Sequence, residues 1–265
     1  MLCSVIKNVM KASKTSFADI LRSLWLYLFG VVTMPLGYVG AVIVWLLTVL
    51  FDRRLVVLHL YSCFWASWYT WISPFWKVEI RGKEKIDRKK VYVMVSNHQS
   101  MLDILVLYRL FVHFKWVSKA ELFKIPFSGW NMSMNRYIKL HRTSRTSIRR
   151  MMEDSRRTLE SGSSVMIFPE GTRSTSGRVE RFKEGAFRIA RDSGKPILPI
   201  VLYGTGNALP KHGFWVRGKH RLQVQILDEI PPETFREMTV EELTDHTRNL
   251  ITEEYEKMRK EANDD

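Results

Sequence analysis

Residues 91–103 read V-Y-V-M-V-S-N-H-Q-S-M-L-D, an apolar run that passes through a polar turn into a helical pattern. The apolar run has the composition of a strand that is buried on both faces. Asn97, His98 and Asp103 follow at the point where such a strand ends. Strands that lead directly into helices form α/β domains, whose functional loops gather at the carboxyl ends of the strands. The stretch therefore predicts a fold class and one functional loop.

A second stretch of the same design, residues 165–174, reads V-M-I-F-P-E-G-T-R-S. Its apolar start predicts another buried strand, which Pro169 ends because proline cannot donate to a strand ladder. Gly171 lets backbone approach a ligand closely, and Arg173 is suited to gripping a phosphate by two parallel hydrogen bonds. Glu170 can accept a hydrogen bond from a substrate hydroxyl. The competing interpretation is an ordinary turn that contains a surface ion pair.

The remaining pattern also alternates between strands and helices. Further strands are predicted at residues 115–118, 137–140, 197–203 and 222–227. Helices are predicted at residues 100–112, 145–160 and 183–193, the last of them capped by Gly194, and Thr239 with Glu242 forms a capping box that opens a terminal helix. Residues 77–90 are interpreted as a charged link. We expect an α/β domain with a central, largely parallel sheet flanked by helices, over residues 77–265.

The N-terminal part of the chain is apolar and predicts an attachment to a membrane. Residues 23–51 carry no formal charge, which is long enough to cross a bilayer with tilt, although Pro35 weakens the case for a straight span. Residues 55–76 are also uncharged, but their tryptophans and tyrosines favour the headgroup level. We expect residues 1–76 to form a hydrophobic two-helix membrane-attachment segment, with crossing and interfacial placement both open. Alternatively, the aromatic residues pack on the soluble domain.

Charge and cysteine content restrict the setting. The net charge of +14 implies attraction to anionic lipid headgroups, to an acidic carrier or cofactor, or to nucleic acid. The chain lacks a recognisable nucleic-acid motif, so a basic nucleic-acid-binding module built on residues 145–157 is the weaker alternative, and no nucleic-acid partner is expected. Cys3 and Cys63 both lie in the N-terminal part, which makes a disulfide framework unexpected and fits a reducing, cytoplasmic setting.

His98 and Asp103 together suggest general-base chemistry. Histidine is the natural base for taking a proton from an alcohol near neutral pH, and a carboxylate can hold its tautomer. The two side chains cannot pair within one ideal helix, but they can if His98 lies in the turn before it and Asp103 in its first turn. The competing interpretation is that Asp103 only completes a capping interaction with Ser100.

The two stretches in combination resemble the PlsC-type 1-acyl-sn-glycerol-3-phosphate acyltransferases, within the larger glycerolipid acyltransferase family. The first block of that family, Asn-His-x4-Asp, matches Asn97, His98 and Asp103, and its third block matches residues 168–174. Residues 117–130, V-S-K-A-E-L-F-K-I-P-F-S-G-W, and residues 198–203, L-P-I-V-L-Y, resemble its other segments. The resemblance covers roughly residues 77–230.

The resemblance implies a set of site residues. His98 and Asp103 are the catalytic pair, and the substrate-binding residues are Lys119, Arg142, Glu170, Gly171, Thr172 and Arg173. Arg142 is preceded by His141, where an acidic or amide residue is more usual, so its role is less firmly implied.

The implied reaction moves an acyl group from acyl-CoA or acyl carrier protein to the sn-2 hydroxyl of a lysophosphatidate, on the cytoplasmic face of a membrane. No other cofactor is implied, and no metal is implied either, because the histidines show no ligand-like cluster. Two alternatives stay open: the acceptor is another lysophospholipid or a lyso-aminolipid, or the chain is a catalytically silent membrane scaffold.

Overall fold

A computed structural model of the protein describes residues 16–142, 144–211 and 213–264. Its strands are β1 Trp76–Arg81, β2 Val93–Ser96, β3 Phe114–Lys119, β4 Ile138–Leu140, β5 Ser164–Ile167, β6 Ile197–Tyr203 and β7 His220–Ile226. They form one sheet in the order β1-β7-β6-β2-β5-β3-β4. All neighbouring strands run parallel except β6 and β7, which are antiparallel. The expected α/β fold with a largely parallel central sheet is confirmed.

Helices cover both faces of this sheet. They are α1 Phe17–Thr48, α2 Val56–Trp71, α3 Leu102–Tyr108, α4 Ser128–Met134, α5 Arg145–Glu160, α6 Gly185–Ser193, α7 Thr205–Ala208, α8 Pro232–Phe235 and α9 Val240–Asp264. One hydrophobic core joins a sheet face to α2 and α3. A second core joins the opposite face to α5, α6 and α9. The carboxyl ends of β2, β5, β3 and β4 therefore meet at one open edge of the sheet, between the two helical layers.

Most of the predicted elements are present, two predictions need correction, and one helix was not predicted. The bounds predicted for α5 and β6, the Gly194 cap and the capping box of Thr239 with Glu242 are confirmed. The predicted link at residues 77–90 is wrong in its first part, which forms the edge strand β1 beside β7. The helix predicted at residues 100–112 ends at Tyr108, because Phe111 turns the chain with a left-handed φ of 51°. Helix α4 was not predicted; Phe127, before it, has φ 62°.

Helix α1 has its polar residues inside and its apolar residues outside. Its buried positions are Asp19, Ser23, Gly30, Thr33, Gly37, Ala41 and Thr48. They recur at helical spacing and form a stripe of small and polar side chains toward the protein. Most leucines and valines of the other face, together with Ile43, are half exposed or more, up to 70% at Val31 and Leu47. Among the described residues, α1 is the helix that is long and apolar enough to cross a membrane, judged by length and composition alone.

Helix α2 packs between α1 and the sheet. Gly37 of α1 lies so close to the Trp65 indole that a Cβ there would collide with the ring. Trp65 is therefore buried, and Trp71 is the tryptophan of α2 that is exposed. The expectation that the α2 tryptophans together face lipid headgroups is wrong for Trp65. Cys63, also in α2, is a buried free thiol, and Cys3 lies outside the described residues.

Candidate active site

His98 and Asp103 form a hydrogen-bonded pair at the carboxyl end of β2. The His98 Nδ1 atom lies 2.7 Å from Asp103 Oδ2. The same oxygen accepts the backbone N–H groups of Gln99 at 2.7 Å and Ser100 at 2.9 Å. Asp103 thus holds the backbone turn that precedes α3 and also orients the imidazole, although the N-cap of the helix itself is Met101, without a side-chain hydrogen bond.

The protonation pattern of the pair leaves one histidine nitrogen available. A carboxylate oxygen accepts hydrogen bonds, so Nδ1 of His98 carries a proton and its N–H group donates a hydrogen bond to Asp103. The Nε2 atom then has a lone pair, and it forms no hydrogen bond with any residue that the structure describes. The His98 side chain is 12% exposed and that of Asp103 is fully buried. The geometry therefore offers a proton acceptor at the surface, backed by a buried carboxylate.

The loop that carries His98 is fastened to the loop after β5. The His98 backbone N–H donates to Glu170 Oε1 at 3.0 Å, and the His98 carbonyl accepts from the Ser174 N–H at 2.7 Å. The imidazole stacks on the Phe168 ring at 4.0 Å between centroids, with 11° between the planes. His98 is thus held at its N–H, its carbonyl and its ring by residues of the second stretch.

Glu170 is a buried carboxyl with one oxygen bonded and one left over. Burial raises its pKa to about 8, and the neighbouring charge of Asp103 acts in the same direction. Its Oε2 atom is buried and has no hydrogen-bond partner among the described residues. In this structure, Glu170 acts on the site through the backbone of His98, a contact between loops that their separation in the sequence concealed.

Asn97 fixes the end of β2 against β6. Its side-chain amide donates to the Leu202 carbonyl at 2.8 Å and accepts from the Leu202 N–H at 2.8 Å. The side chain is fully buried and continues the strand ladder by one more step. Asn97 belongs to the first stretch but was not among the predicted site residues, and its part is to hold the backbone from which His98 projects.

The turn at residues 171–173 carries one cation, Arg173, and the Lys183 amine lies over its glycine. Gly171 has φ +70°, which favours glycine, and a Cβ at that position would lie 3.0 Å from Lys183 Nζ. Thr172 is exposed, and Arg173 is half-buried without an ion pair or hydrogen bond to any described residue. The Lys183 amine was not predicted as part of the site, because it comes from the segment before α6 and only the fold brings it over Gly171.

Lys119 and Arg142 lie further along the same edge of the sheet. Lys119 ends β3 and pairs in register with Leu140 of β4, two residues before Arg142. Lys119 is exposed, and its amine is 3.7 Å from the Glu121 carboxylate. Strand β5 lies between β3 and β2, which places the end of β3 about 10 Å from the His98 strand. The predicted site residues therefore share one edge, with His98, Asp103 and Glu170 in direct contact.

Helix α9 also reaches this edge, which the sequence did not indicate. The Tyr255 hydroxyl donates to the Gly177 carbonyl at 2.9 Å and lies 3.3 Å from the side-chain amide of Gln99. Arg248 donates to the carbonyls of Glu180 and Val179. The terminal helix thereby holds the loop that follows Arg173 against the residue next to His98.

The sequence and the fold both match known acyltransferases. A family model described as Acyltransferase matches residues 77–203. A chloroplastic 1-acyl-sn-glycerol-3-phosphate acyltransferase of Brassica napus is 44% identical over 167 residues, which are 61% of this chain and 47% of that protein. The chain spans about half the length of this plant relative and of the similar algal one.

A bacterial relative and a solved structure cover more of their own length. The 1-acyl-sn-glycerol-3-phosphate acyltransferase of Pseudomonas aeruginosa is 30% identical over 192 residues, 72% of this chain and 74% of that protein. The crystal structure of the 1-acyl-sn-glycerophosphate acyltransferase PlsC from Thermotoga maritima superposes with a TM-score of 0.75 and 23% identity, over 91% of this chain and 96% of that one. The last comparison shows a shared fold. Together with the bacterial match, these findings show that the chain belongs to the acyltransferase family of the 1-acyl-sn-glycerol-3-phosphate acyltransferases.

Proposed function

We propose that this protein transfers an acyl group from an acyl thioester to the sn-2 hydroxyl of 1-acyl-sn-glycerol 3-phosphate, which gives phosphatidic acid. The observation that carries the proposal is the His98–Asp103 pair, whose Nε2 is free to accept a proton and whose loop is bonded to the loop of Arg173. The relatives named above are supporting evidence for this acceptor, because they carry that activity in their names.

The reaction proceeds by direct transfer. Nε2 of His98 takes the proton of the sn-2 hydroxyl, and the oxygen attacks the thioester carbonyl. Asp103 steadies the imidazolium that forms. The tetrahedral intermediate then collapses, the carbon–sulfur bond breaks, and the departing thiolate takes the proton back from His98. The base is regenerated, and no acyl-enzyme is required.

The acceptor phosphate is held by the cations at the carboxyl edge. Arg173 has no partner within the described chain, so its guanidinium is free to bind a phosphate by two parallel hydrogen bonds. Lys119 and Arg142 lie on the same edge and add positive charge. Thr172 and Gly171 shape the turn beside Arg173, and Glu170 keeps this turn in register with His98.

Residues 1–76 attach the domain to a membrane, and residues 77–265 carry the chemistry. The outer face of α1 is apolar, whereas contacts with the rest of the chain cover its inner face at both ends. At one end, Ser23 Oγ accepts the Val216 N–H at 2.7 Å, and just beyond the other end Arg54 donates to the Gly162 carbonyl at 2.7 Å. A helix covered in this way supports placement along one membrane surface, with the outer face among lipid chains, rather than a crossing.

Contacts between helix α1 and the catalytic loop support an active site held near the membrane surface. The segment anchored by α1 through Val216 also supplies the Leu209 carbonyl, which accepts a hydrogen bond from Ser100 Oγ at 2.7 Å. Ser100 is two residues from His98. The catalytic loop is thus tied through one short segment to the apolar helix, which supports a position near the membrane surface, where a lysophosphatidate presents its hydroxyl.

The test is a transfer assay with purified protein and lysophosphatidate, in which acyl-CoA and acyl carrier protein thioester are compared as donors. We expect phosphatidic acid to form and His98→Ala to lower turnover about a hundredfold to ten-thousandfold. Lysophospholipids without a terminal phosphate and lyso-aminolipids serve as alternative acceptors. Equal or faster transfer to one of these would replace lysophosphatidate as the substrate, and near-normal turnover by a folded His98→Ala variant would remove the histidine from the mechanism.

A further inference from the structure

An open groove of about 820 Å³ runs along the outer edge of the sheet, between β4 and α5. It follows α5 from Ser144 to Ser161, about 25 Å of helix. One end opens at the carboxyl edge of the sheet, beside His141. Its charged lining consists of Arg136, Lys139, His141, Arg150, Arg157 and the single acid Asp154. None of these residues belongs to the candidate site described above.

The positive charge of the groove is only partly neutralised. Arg136 and Lys139 form no ion pair with any described residue. Arg150 lies 3.8 Å from Asp154 and its side chain is 84% exposed, whereas Arg157 pairs with Glu153. The amino end of α5 also opens into the groove, where Ser144 caps the helix by accepting the Ser147 N–H. Uncompensated cations beside a helix amino end are the chemistry that binds phosphate groups.

We propose that this groove binds the phosphate-bearing nucleotide of acyl coenzyme A. The inference rests on the proposed acyl transfer and names the donor for it. A concave groove of this volume matches sites for small molecules of up to about 1,000 Å³. An acidic carrier protein would instead need a contact surface of about 800 Å² on each partner. The concave shape therefore favours the nucleotide over the protein.

The distance from the groove to His98 suits the pantetheine arm of the donor. Strands β3 and β5 lie between β4 and β2, so the ends of β4 and β2 are about 14 Å apart. The arm is about as long as five residues of extended chain, roughly 17 Å. When the nucleotide of acyl coenzyme A lies in the groove, the thioester at the end of its pantetheine arm can therefore reach the free Nε2 of His98.

The outer edge of β4 offers a second element of recognition. Strand β4 is the last strand of the sheet, so its outward N–H and C=O groups face no other strand in the described part of the chain. Tyr137, Ile138 and Lys139 line the groove along this edge. The two amides of a pantetheine arm can bond to such an edge as an added peptide strand does. The site would thus recognise both the phosphates and the arm.

The groove also lies on the side of the molecule that suits a charged ligand. Helix α5 belongs to the layer on the sheet face opposite α2, the helix on which α1 packs. A nucleotide in the groove stays in water, while the acyl chain of the same donor crosses the carboxyl edge of the sheet toward the helices α1 and α2. The donor phosphates then lie beside β4, whereas Arg173 follows β5, two strands further in.

The test is the double variant Arg136→Gln, Arg150→Gln, assayed in the full-length protein. Its matched control is Arg149→Gln, Arg156→Gln, which removes the same charge from exposed positions of α5 that do not line the groove. Apparent KM is measured for acyl-CoA, for an acyl-pantetheine thioester without phosphates, and for lysophosphatidate. Binding of free coenzyme A is titrated separately by calorimetry, which requires no catalysis.

We expect the groove variant to raise the KM for acyl-CoA about tenfold and to weaken coenzyme A binding by a similar factor. The KM values for acyl-pantetheine and lysophosphatidate should stay unchanged, as should all values of the control variant. An unchanged KM for acyl-CoA would overturn the proposal, and so would equal losses with both donors or a loss confined to the acceptor or to an acyl carrier protein thioester. If the wild-type protein transfers no acyl group from any donor, the proposed function fails, whereas the coenzyme A titration still tests the groove.

Discussion

Asp103→Asn is the substitution that best separates catalysis from helix capping. The wild-type Oδ2 atom accepts three hydrogen bonds, from His98 Nδ1 and from the backbone N–H groups of Gln99 and Ser100. Asparagine keeps the shape of the side chain and removes its charge. Because Asp103 is fully buried, the amide has only two ways to lie in the site.

Both orientations damage the base. If the amide oxygen replaces Oδ2, all three hydrogen bonds persist, but the NH₂ group occupies the buried Oδ1 position, which has no described partner. An unsatisfied buried donor costs about 1–3 kcal/mol of stability. If the NH₂ group faces His98 instead, it opposes two backbone N–H groups and forces the imidazole proton onto Nε2, where it blocks proton transfer. Neither orientation supplies a negative charge for the imidazolium.

We therefore expect turnover to fall about a thousandfold to ten-thousandfold, or roughly 4–5 kcal/mol in activation free energy, with a smaller loss of stability. Steady-state transfer assays and thermal melts of the same preparations measure the two effects. The matched control is Glu242→Gln, since Glu242 accepts the Thr239 N–H in the capping box of α9, away from the site. The control should melt earlier and keep its turnover. Turnover of Asp103→Asn within threefold of wild type would show that Asp103 only caps α3.

Three further predictions follow from the site and the helix pair. Burial raises the pKa of Glu170 to about 8 from an ordinary 4.5, so the folded state holds the proton more tightly and the wild-type free energy of unfolding should fall as pH rises between these values. In urea denaturation, the free energy of unfolding of Glu170→Gln should rise relative to wild type by on the order of 3 kcal/mol from pH 5 to pH 8. Parallel pH dependences of the two proteins would contradict the raised pKa. Arg173→Lys keeps the positive charge but loses the planar guanidinium, so the KM for lysophosphatidate should rise. The KM for the donor and the rate with a phosphate-free acceptor should stay constant. Equal losses with both acceptors would make Arg173 structural. Trp65→Ala should lower the free energy of unfolding by about 3–5 kcal/mol, because the ring is buried against Gly37. Trp71→Ala should instead weaken binding to anionic vesicles and change the melting temperature little, because this ring is exposed. The reverse pattern would refute the assigned packing.

The sequence predicted what depends on local pattern. The runs before His98 and Glu170 are apolar enough to be buried strands, and polar residues at their ends mark functional loops wherever the strands are neighbours. Strands β2 and β5 are neighbours, so the two stretches meet as expected. The pairing of His98 with Asp103 was also open to prediction, because it needs only a turn followed by one helical turn.

The parts that could not be predicted depend on contacts between distant residues. Strand β1 looked like a charged link, because it is an edge strand whose exposed positions carry charge and whose partner β7 comes far later in the chain. The buried role of Trp65 depends on Gly37, a residue of another helix. Likewise, no local pattern shows that Tyr255 reaches Gln99, or that β4 and α5 enclose a groove.

The hydrogen bonds that hold His98 have a consequence for folding. They connect residues far apart in sequence: the Asn97 amide bonds to Leu202, and the His98 N–H bonds to Glu170. Local helices form within microseconds, whereas contacts that close long loops must await assembly of the sheet, since loop closure costs entropy first. The catalytic loop is consequently among the last regions to take its native form. During refolding, the recovery of activity therefore reports when the sheet is complete, and it lags behind the return of the helical circular dichroism signal.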